Sequence, residues 1–365
     1  MLNPALYSSI YLYGVILLSL FATIALSRKG YIQLKKNSHA TIFAVALCII
    51  LIFFLGQRPA SAFFGDSFLY RHIFNIYKLG KQVPNEDTSE WLWAKFTYFC
   101  SQNFSVSTYL TIIEAGYFGL VLLACRKLTP NNSLITFLFF LGAFSTYTYG
   151  VNGIRNGVAC SITLCAISYM ATSRKYLPLA IALSIMAVGI HKSTMLPIVA
   201  MFTSVYFIKS FKTAYYFWIA SIIISLIAGE AVTSIFASLG FDDRFSYYAM
   251  GPVDANKFTS TGFRWDFLVY SMMPIVLGYY TVIKRGIYDR TYLILLNTYT
   301  VANAFWVMVI RANYSNRFAY LSWFMYPLVL AYPLLKFDIW GPKQGQYLAQ
   351  IMLAQVAFTW IMELL

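Results

Sequence analysis

The sequence predicts an all-α polytopic membrane protein with about 12 transmembrane helices, in a range of roughly 10 to 13. The chain has 365 residues, of which 59% are hydrophobic and only 11% are charged. A typical soluble domain has about 25% charged residues. The apolar residues form blocks of roughly 16 to 25, the length that a helix needs to cross about 30 Å of hydrocarbon. This composition excludes a soluble protein and a disordered one.

The apolar blocks are the predicted spans, and the loops between them indicate the orientation. One set of alternating loops is short and contains more than half of the 27 Lys and Arg residues. Short cytoplasmic loops collect Lys and Arg, so we expect this set inside the cell and both termini outside. The predicted spans cover residues 4–27, 40–57, 106–124, 134–150, 155–172, 176–190, 193–208, 214–229, 265–283, 291–310, 318–335 and 345–363.

The second set of loops is predicted to lie outside, and it includes two long loops. Residues 58–105 form the first, and Glu90–Trp93 within it is typical of a short helix in the membrane interface. Residues 230–264 form the second, whose mixed charges and aromatic side chains suit a carbohydrate lid or an ordinary exposed loop. Neither loop is long enough for a separate soluble domain. The sequence therefore predicts a single transmembrane domain, residues 1–365.

The net charge of +14 has more than one source. In a soluble protein it would indicate nucleic acid, but cytoplasmic loops explain part of it here, and no nucleic-acid partner is expected. Cations at the outer ends of spans have no such explanation. An ionisable side chain at mid-bilayer costs about 2.5 to 3.5 kcal/mol, so few charges are expected within the spans. The cations at the outer ends of spans are therefore the ones that we examine for a function. The sequence has no Cys/His cluster with zinc spacing, and we expect no metal.

Two polar clusters separate apolar spans on the predicted outer side. The first, Gly150–Gly157, contains Asn152 and Arg155. Its glycines let backbone amides and a guanidinium face one anion, although a tight turn whose arginine extends to lipid headgroups is the alternative. The second is His191-Lys192-Ser193. Histidine titrates near neutral pH and can bind a diphosphate, whereas a single histidine in an apolar segment often has only a structural role.

Two further outer segments contain candidate residues. Arg311 and Arg317 flank a short polar link, where either anion binding or contact with lipid headgroups explains two cations. Asp66 and Tyr70 share a helix face at spacing i, i+4. Asp66 is either a general base, or acceptor for sugar hydroxyls, or the N-cap of the helix that follows. Glu114 lies well inside a predicted span, where it either belongs to a proton path or pairs with a hydroxyl or an arginine.

These residues predict an anion site on the outer face of the bundle. Several side chains with positive or titratable nitrogens converge there, and Asp66 lies near them. An anionic ligand embedded in lipid, such as a polyprenyl diphosphate, fits this pattern. The converging residues are Arg155, His191, Lys192, Arg311 and Arg317.

The same segments resemble the core signature of the EpsG family, which are Wzy-type polysaccharide polymerases. In that signature an arginine opens a span, a basic cytoplasmic turn follows, and a histidine stands at the next outer end. Glu90-Trp91 also falls near the family's Glu-Pro-containing segment, although the proline is absent here. The matching segments are Gly150–Ala159, Ser173–Lys175, Ala187–Ser193, Gly65–Tyr70 and Arg311–Tyr320.

The resemblance implies a reaction and a location. Such polymerases are multi-pass proteins of the bacterial inner membrane that join undecaprenyl-diphosphate-linked oligosaccharide repeats on its periplasmic or outer face. The growing glycan moves from its lipid carrier onto the non-reducing end of an incoming repeat, and undecaprenyl diphosphate leaves. We therefore expect the lipid-linked oligosaccharide and membrane lipid as partners, and no cofactor. Where O-antigen is made, a Wzz-type co-polymerase is a further expected partner.

The chemistry of this transfer assigns roles to the candidates. A sugar diphosphate is an activated donor, so the enzyme stabilises the departing diphosphate and deprotonates the attacking hydroxyl. His191 and Asp66 are alternative bases, unless His191 holds the diphosphate and no strong base is needed. The assigned residues are Arg155, Lys192, Arg311 and Arg317 for diphosphate binding, His191, Asp66 and Arg155 for catalysis, and Tyr70, Asn152, Ser193 and Tyr314 for substrate binding.

Two other functions are compatible with a polytopic membrane protein. A flippase for lipid-linked oligosaccharides would show paired internal repeats and charges deep inside its spans, and the sequence shows no clear repeat. Another polyprenyl-dependent glycosyltransferase, such as an O-antigen ligase, would use the same anion-binding face. That second alternative stays open at the level of sequence.

Overall fold

The computed structural model describes residues 2–30, 40–83, 88–238, 262–312 and 315–364. Within these ranges the regular structure is helical, and no strand is present. The helices are α1 (Leu6–Ser27), α2 (Ala40–Gly56), α3 (Ser67–Lys78), α4 (Trp91–Asn103), α5 (Val106–Leu128), α6 (Ser133–Leu141), α7 (Thr146–Val151), α8 (Ile154–Thr172), α9 (Leu177–Ile190), α10 (Met195–Tyr206), α11 (Phe211–Ser238), α12 (Trp265–Gly278), α13 (Arg290–Met308), α14 (Ser315–Trp323), α15 (Tyr326–Lys336) and α16 (Gln344–Leu364).

Each apolar block predicted from the sequence contains at least one helix, which confirms the all-α polytopic membrane class. In the described ranges, seven helical segments are long and apolar enough to cross a membrane. The total of about 12 spans stays a prediction. The seven segments are Leu6–Ser27, Val106–Leu128, Ile154–Thr172, Phe211–Ile235, Trp265–Lys284, Ser315–Lys336 and Gly341–Leu364.

Three blocks differ in detail from continuous straight helices. The predicted span 134–150 is broken between α6 and α7, where Ser145 has a left-handed backbone with a φ of 74°. The predicted span 318–335 consists of α14 and α15 in succession. Helix α11 is longer than the predicted span 214–229 and has a kink at Ala228. Hydropathy locates apolar blocks, but it contains no information on breaks that tertiary contacts impose.

The described part of the chain divides into two compact units, residues 1–192 with 334–365, and residues 193–333. In the first unit, α8 is the central helix and packs against α5 and α9, while α1 packs against α16. The backbone N–H of Gly345 donates to the carbonyl of Lys29 at 2.9 Å, and a Cβ at Gly345 would overlap the carbonyl of Leu26. In the second unit, α13 packs against α10, α11 and α14. The predicted single domain stays a prediction.

The first long loop contains two helices. After the turn Ala62–Phe64, α3 and α4 pack against each other, and the rings of Tyr70 and Trp93 meet edge to face at 5.8 Å. A second turn, Thr88–Glu90, leads into α4. Of the second long loop, residues 239–261 lie outside the described residues.

Candidate active site

A buried carboxylate joins two of the predicted site residues in the first unit. One oxygen of Glu90 is paired with Arg155, and the other contacts Nδ1 of His191. The side chain of Glu90 is 4% exposed, compared with 19% for Arg155 and 15% for His191. The cluster therefore keeps its negative group away from water and leaves its two nitrogen-bearing groups partly accessible.

The chain connection places Arg155 and His191 at the same end of two packed helices. Arg155 lies in the first turn of α8, and His191 directly follows the last residue of α9. The short turn Arg174–Tyr176 joins the two helices, which pack against each other and so run antiparallel. The first turn of α8 and the end of α9 therefore meet.

Glu90 reaches this point because α4 approaches α9 closely. Glu90 ends the turn Thr88–Glu90 and occupies the N-cap position of α4, yet its side chain accepts no hydrogen bond from the helix. Gly189 lies beneath the start of α4, and a Cβ there would be 3.0 Å from Cβ of Leu92 and 3.2 Å from Cε2 of Trp91. Because Gly189 has no side chain, α4 can approach α9 closely enough for Glu90 to contact His191.

A second contact brings Asp66 to the turn that precedes Arg155. The backbone N–H of Asp66 donates to Oδ1 of Asn152 at 2.8 Å. The preceding Gly65 has a φ of 57°, and a Cβ there would overlap the side chain of Asn152. Asp66 occupies the N-cap position of α3 without a side-chain capping hydrogen bond, so the capping role that the sequence left open is not seen. The candidates Asp66 and Asn152 are thus joined directly.

A fully buried ion pair is hydrogen-bonded to the backbone of the same turn. Nη1 of Arg58 lies 2.6 Å from Oε1 of Glu114, and both side chains are completely buried. The Arg58 guanidinium also donates to the carbonyls of Gly150 at 3.2 Å and Val151 at 3.3 Å. Of the alternatives that the sequence left open for Glu114, the structure shows pairing with an arginine. This pair fixes the backbone just before Asn152.

The comparison with protein families gives a match over most of the chain. The EpsG family model matches residues 41–362. The chain belongs to the EpsG family. No curated protein and no solved structure matches it. Membership in EpsG suggests a polysaccharide polymerase-like function for this membrane protein.

In this EpsG protein, two of the predicted arginines belong to the second unit. Arg311 is exposed, its guanidinium lies 5.7 Å from the ring centre of Phe263, and its Nε donates to the carbonyl of Ser225 at 3.4 Å. Arg317 is half-buried in the first turn of α14. The predicted convergence of these arginines with Arg155 on one face stays a prediction.

The remaining candidates of the EpsG chain differ in how the structure places them. Lys192 is half-buried and begins the turn Lys192–Thr194. The hydroxyl of Ser193 is buried and has no hydrogen-bond partner among the described residues. Tyr70 is half-buried against Trp93, while Tyr314 lies outside the described residues. In the ranges that the structure describes, no group of three or more His, Cys, Asp or Glu side chains is arranged to hold a metal ion.

Sequence reasoning missed two residues of this candidate site. It assigned Glu90 to an interfacial helix, and it did not consider Arg58, which directly follows the second apolar block. The available signal for Glu90 was its position near the Glu-containing segment of the family. For Arg58 the signal was Glu114, since a carboxylate inside a span needs a partner and arginine is the most suitable one.

Proposed function

We propose that this protein is a glycosyltransferase that polymerises undecaprenyl-diphosphate-linked oligosaccharide repeats at the outer face of the bacterial inner membrane. The growing glycan is transferred from one lipid carrier to the non-reducing end of another repeat. The observation that supports this proposal most is the contact of one buried carboxylate, Glu90, with both Arg155 and His191. It combines a phosphate-binding cation and a proton acceptor in one small cluster.

His191 is the proposed general base. A hydrogen bond from Nδ1–H to the Glu90 carboxylate leaves Nε2 as the acceptor nitrogen, and it also fixes the orientation of the ring. As the acceptor hydroxyl oxygen bonds to the anomeric carbon of the donor, Nε2 takes its proton. The bond from that carbon to the diphosphate oxygen breaks, and the electron pair leaves with the diphosphate. Asp66 is the alternative base, held beside the same turn through Asn152.

The leaving diphosphate needs compensation for its charge. Arg155 offers a planar guanidinium that binds phosphate through two hydrogen bonds, and Lys192 follows His191 in the chain. Arg311 and Arg317 are further proposed ligands of the diphosphate, and Tyr70, Ser193 and Tyr314 are proposed to contact the saccharide. A Wzz-type co-polymerase is the proposed protein partner where O-antigen is made.

Deletion of the gene followed by electrophoresis of surface glycan tests the reaction. A polymerase defect leaves carrier lipid capped with a single repeat. Loss of all surface sugar with accumulation in the cytoplasm would instead identify a flippase, and complete polymer retained on the carrier would identify a ligase. Either of these results would contradict the proposal.

Point variants test the site itself. Arg155→Ala and His191→Ala should abolish polymer while the protein stays in the membrane at normal amounts. Arg174→Ala and His72→Ala are matched controls, because both side chains are exposed and neither takes part in the ion pairs of the Glu90 cluster. Polymer of normal length in both site variants would refute the assignment. Loss of polymer in the controls would show that the assay responds to the loss of any basic side chain.

A further inference from the structure

The break between α6 and α7 is a fixed feature of the first unit. Ser145 has a φ of 74°, the one positive φ among non-glycine residues in the described ranges. A left-handed backbone at such a residue persists only where its surroundings enforce it, and such residues cluster at functional sites. Non-helical backbone at membrane depth is tolerated where it is buried in protein or lines a cavity.

Side chains from three helices satisfy the carbonyls that the break exposes. The Tyr11 hydroxyl of α1 donates to the carbonyl of Leu141 at 2.8 Å. The Thr146 hydroxyl of α7 donates to the carbonyl of Phe140 at 2.7 Å, and the Thr359 hydroxyl of α16 donates to that of Gly142 at 2.8 Å. Because distant parts of the chain supply these donors, the break belongs to the native fold and is not a local irregularity.

A cavity of about 140 Å³ opens at this break. Among the described residues, its lining combines aromatic faces, hydroxyl groups and the carboxylate of Glu363, and it includes no Lys, Arg or His. The side chains that define its chemistry are Ser8, Tyr13, Ser145, Tyr147, Trp360 and Glu363.

This chemistry discriminates between classes of ligand. Aromatic faces pack against the apolar face of a sugar ring, and hydroxyl and carboxylate groups bind its hydroxyls. A phosphate would meet the carboxylate of Glu363, and no lining residue that the structure describes offers a compensating cation. An acyl chain would leave the hydroxyls of Ser8 and Ser145 without partners. A neutral saccharide is the ligand that satisfies all of these groups.

The cavity and the Glu90 cluster are connected by one short helix. Helix α7 has six residues, with Tyr147 at the cavity and Asn152 directly after its end. Five residues of helix correspond to a rise of about 7.5 Å. The residue that binds Asp66 therefore lies within the length of a short oligosaccharide from the cavity.

We propose that this cavity is a saccharide subsite that holds a neutral sugar of the lipid-linked repeat, separate from the cluster that binds the diphosphate. The subsite rests on the proposed function, because it takes its ligand from the same substrate. Trp360 and Tyr13, which are 40% and 54% exposed, stack on the sugar ring, and Glu363 accepts hydrogen bonds from its hydroxyls.

Two binding measurements on the full-length protein test the subsite, in a detergent without a sugar headgroup. The probes are oligosaccharide released from the polysaccharide of the bacterium that carries the protein, and undecaprenyl diphosphate alone. Trp360→Ala should weaken oligosaccharide binding by roughly tenfold and Glu363→Gln by less, with no change for undecaprenyl diphosphate. Trp265→Ala is the matched control, because Trp265 is also exposed but lies outside the cavity.

The outcomes separate the subsite from the proposed function. Oligosaccharide binding unchanged in both Trp360→Ala and Glu363→Gln would overturn the subsite, as would displacement of the oligosaccharide by a phospholipid. Failure of Arg155→Ala to affect polymer or binding of undecaprenyl diphosphate would refute the polymerase site instead. In a transfer assay with lipid-linked repeats, we expect Trp360→Ala to raise KM and leave kcat nearly unchanged.

Discussion

Arg58 and Glu114 form an ion pair from which water is excluded on both sides. The guanidinium also reaches the carbonyl of Leu55 at 2.6 Å and those of Gly150 and Val151 at the end of α7. One side chain thus joins α2, α5 and the turn that leads to Asn152 and Arg155. The pair therefore has two separable effects, on stability and on the position of the site.

Removal of one partner should destabilise the protein strongly. Arg58→Ala leaves the Glu114 carboxylate buried without a counter-charge, and breaking a buried pair in this way costs about 3 to 5 kcal/mol. Arg58→Met with Glu114→Leu removes both charges and should recover much of the lost stability, measured as Tm in detergent. The double variant still lacks the bonds to Gly150 and Val151, so we expect reduced polymer. Full polymer in a stable double variant would show that the pair has no positioning role.

Glu90 should be required for turnover more than for folding. Glu90→Gln keeps the shape of the side chain but removes the charge that faces Arg155 and His191. Loss of the group that orients a general base should slow repeat transfer by roughly 100-fold or more. The rate of transfer by the purified protein is the measurement, with Glu230→Gln, an exposed acid, as the control. Equal rates in both variants would remove Glu90 from the site.

The contact between Glu90 and His191 should depend on the small size of Gly189. Gly189→Ala introduces a methyl group 3.0 Å from Cβ of Leu92, and α4 has to move away from α9. We expect lower activity with little loss of stability, because Trp91, one of the two side chains that the new methyl group meets, is exposed. Gly119→Ala adds the same methyl group in α5, where nothing lies within 4 Å, and should be neutral. Identical activity in the two variants would contradict the role of this close approach.

Gly65 provides a test of the contact between Asp66 and Asn152. Gly65→Ala and Gly80→Ala both place a side chain at positive φ, which costs about 1 to 2 kcal/mol. Only the methyl group at Gly65 meets Asn152, whereas nothing lies within 4 Å of a Cβ at Gly80. We expect the two variants to lose Tm by similar amounts. We expect only Gly65→Ala to lose polymer. A selective loss in Gly80→Ala would reverse the interpretation.

The helices could be predicted from the sequence because the length and apolar composition of each block are enough to indicate a helix that crosses the membrane. The break at Ser145 could not, because its donors come from Tyr11 and Thr359, far away along the chain. Local hydropathy is the same whether such a segment continues as helix or turns. Breaks of this kind depend on tertiary contacts that a pattern of single residues does not contain.

Some residues of the candidate site could likewise be predicted from the sequence, and others could not. Arg155 and His191 could be selected because the bias of Lys and Arg towards cytoplasmic loops gives no reason for nitrogen-bearing side chains at the outer ends of spans. Glu90 lies 101 residues from His191, and their contact depends on how α4 packs against α9 at Gly189. The sequence therefore indicated Arg155 and His191 as candidates but not the carboxylate that contacts both of them.

The five native cysteines should interfere little with labelling experiments that determine the orientation of the chain in the membrane. All five are buried, so thiol reagents should label the wild-type chain slowly near neutral pH. Burial raises the pKa of the Cys100 thiol to about 11. Since the thiolate is the reactive form, labelling of Cys100 should increase as the pH rises towards that value.

Single added cysteines should then report which side of the membrane each loop faces. Lys78, at the end of α3, is exposed and belongs to a loop predicted outside, while Lys175 is exposed in a turn predicted inside. Positive residues are retained in short cytoplasmic loops, which is the reason to expect this arrangement. A membrane-impermeant maleimide should label Lys78→Cys in intact cells, and Lys175→Cys only after permeabilisation. The reverse pattern would place the Glu90 cluster in the cytoplasm, where the outer-face polymerase proposed here has no substrate.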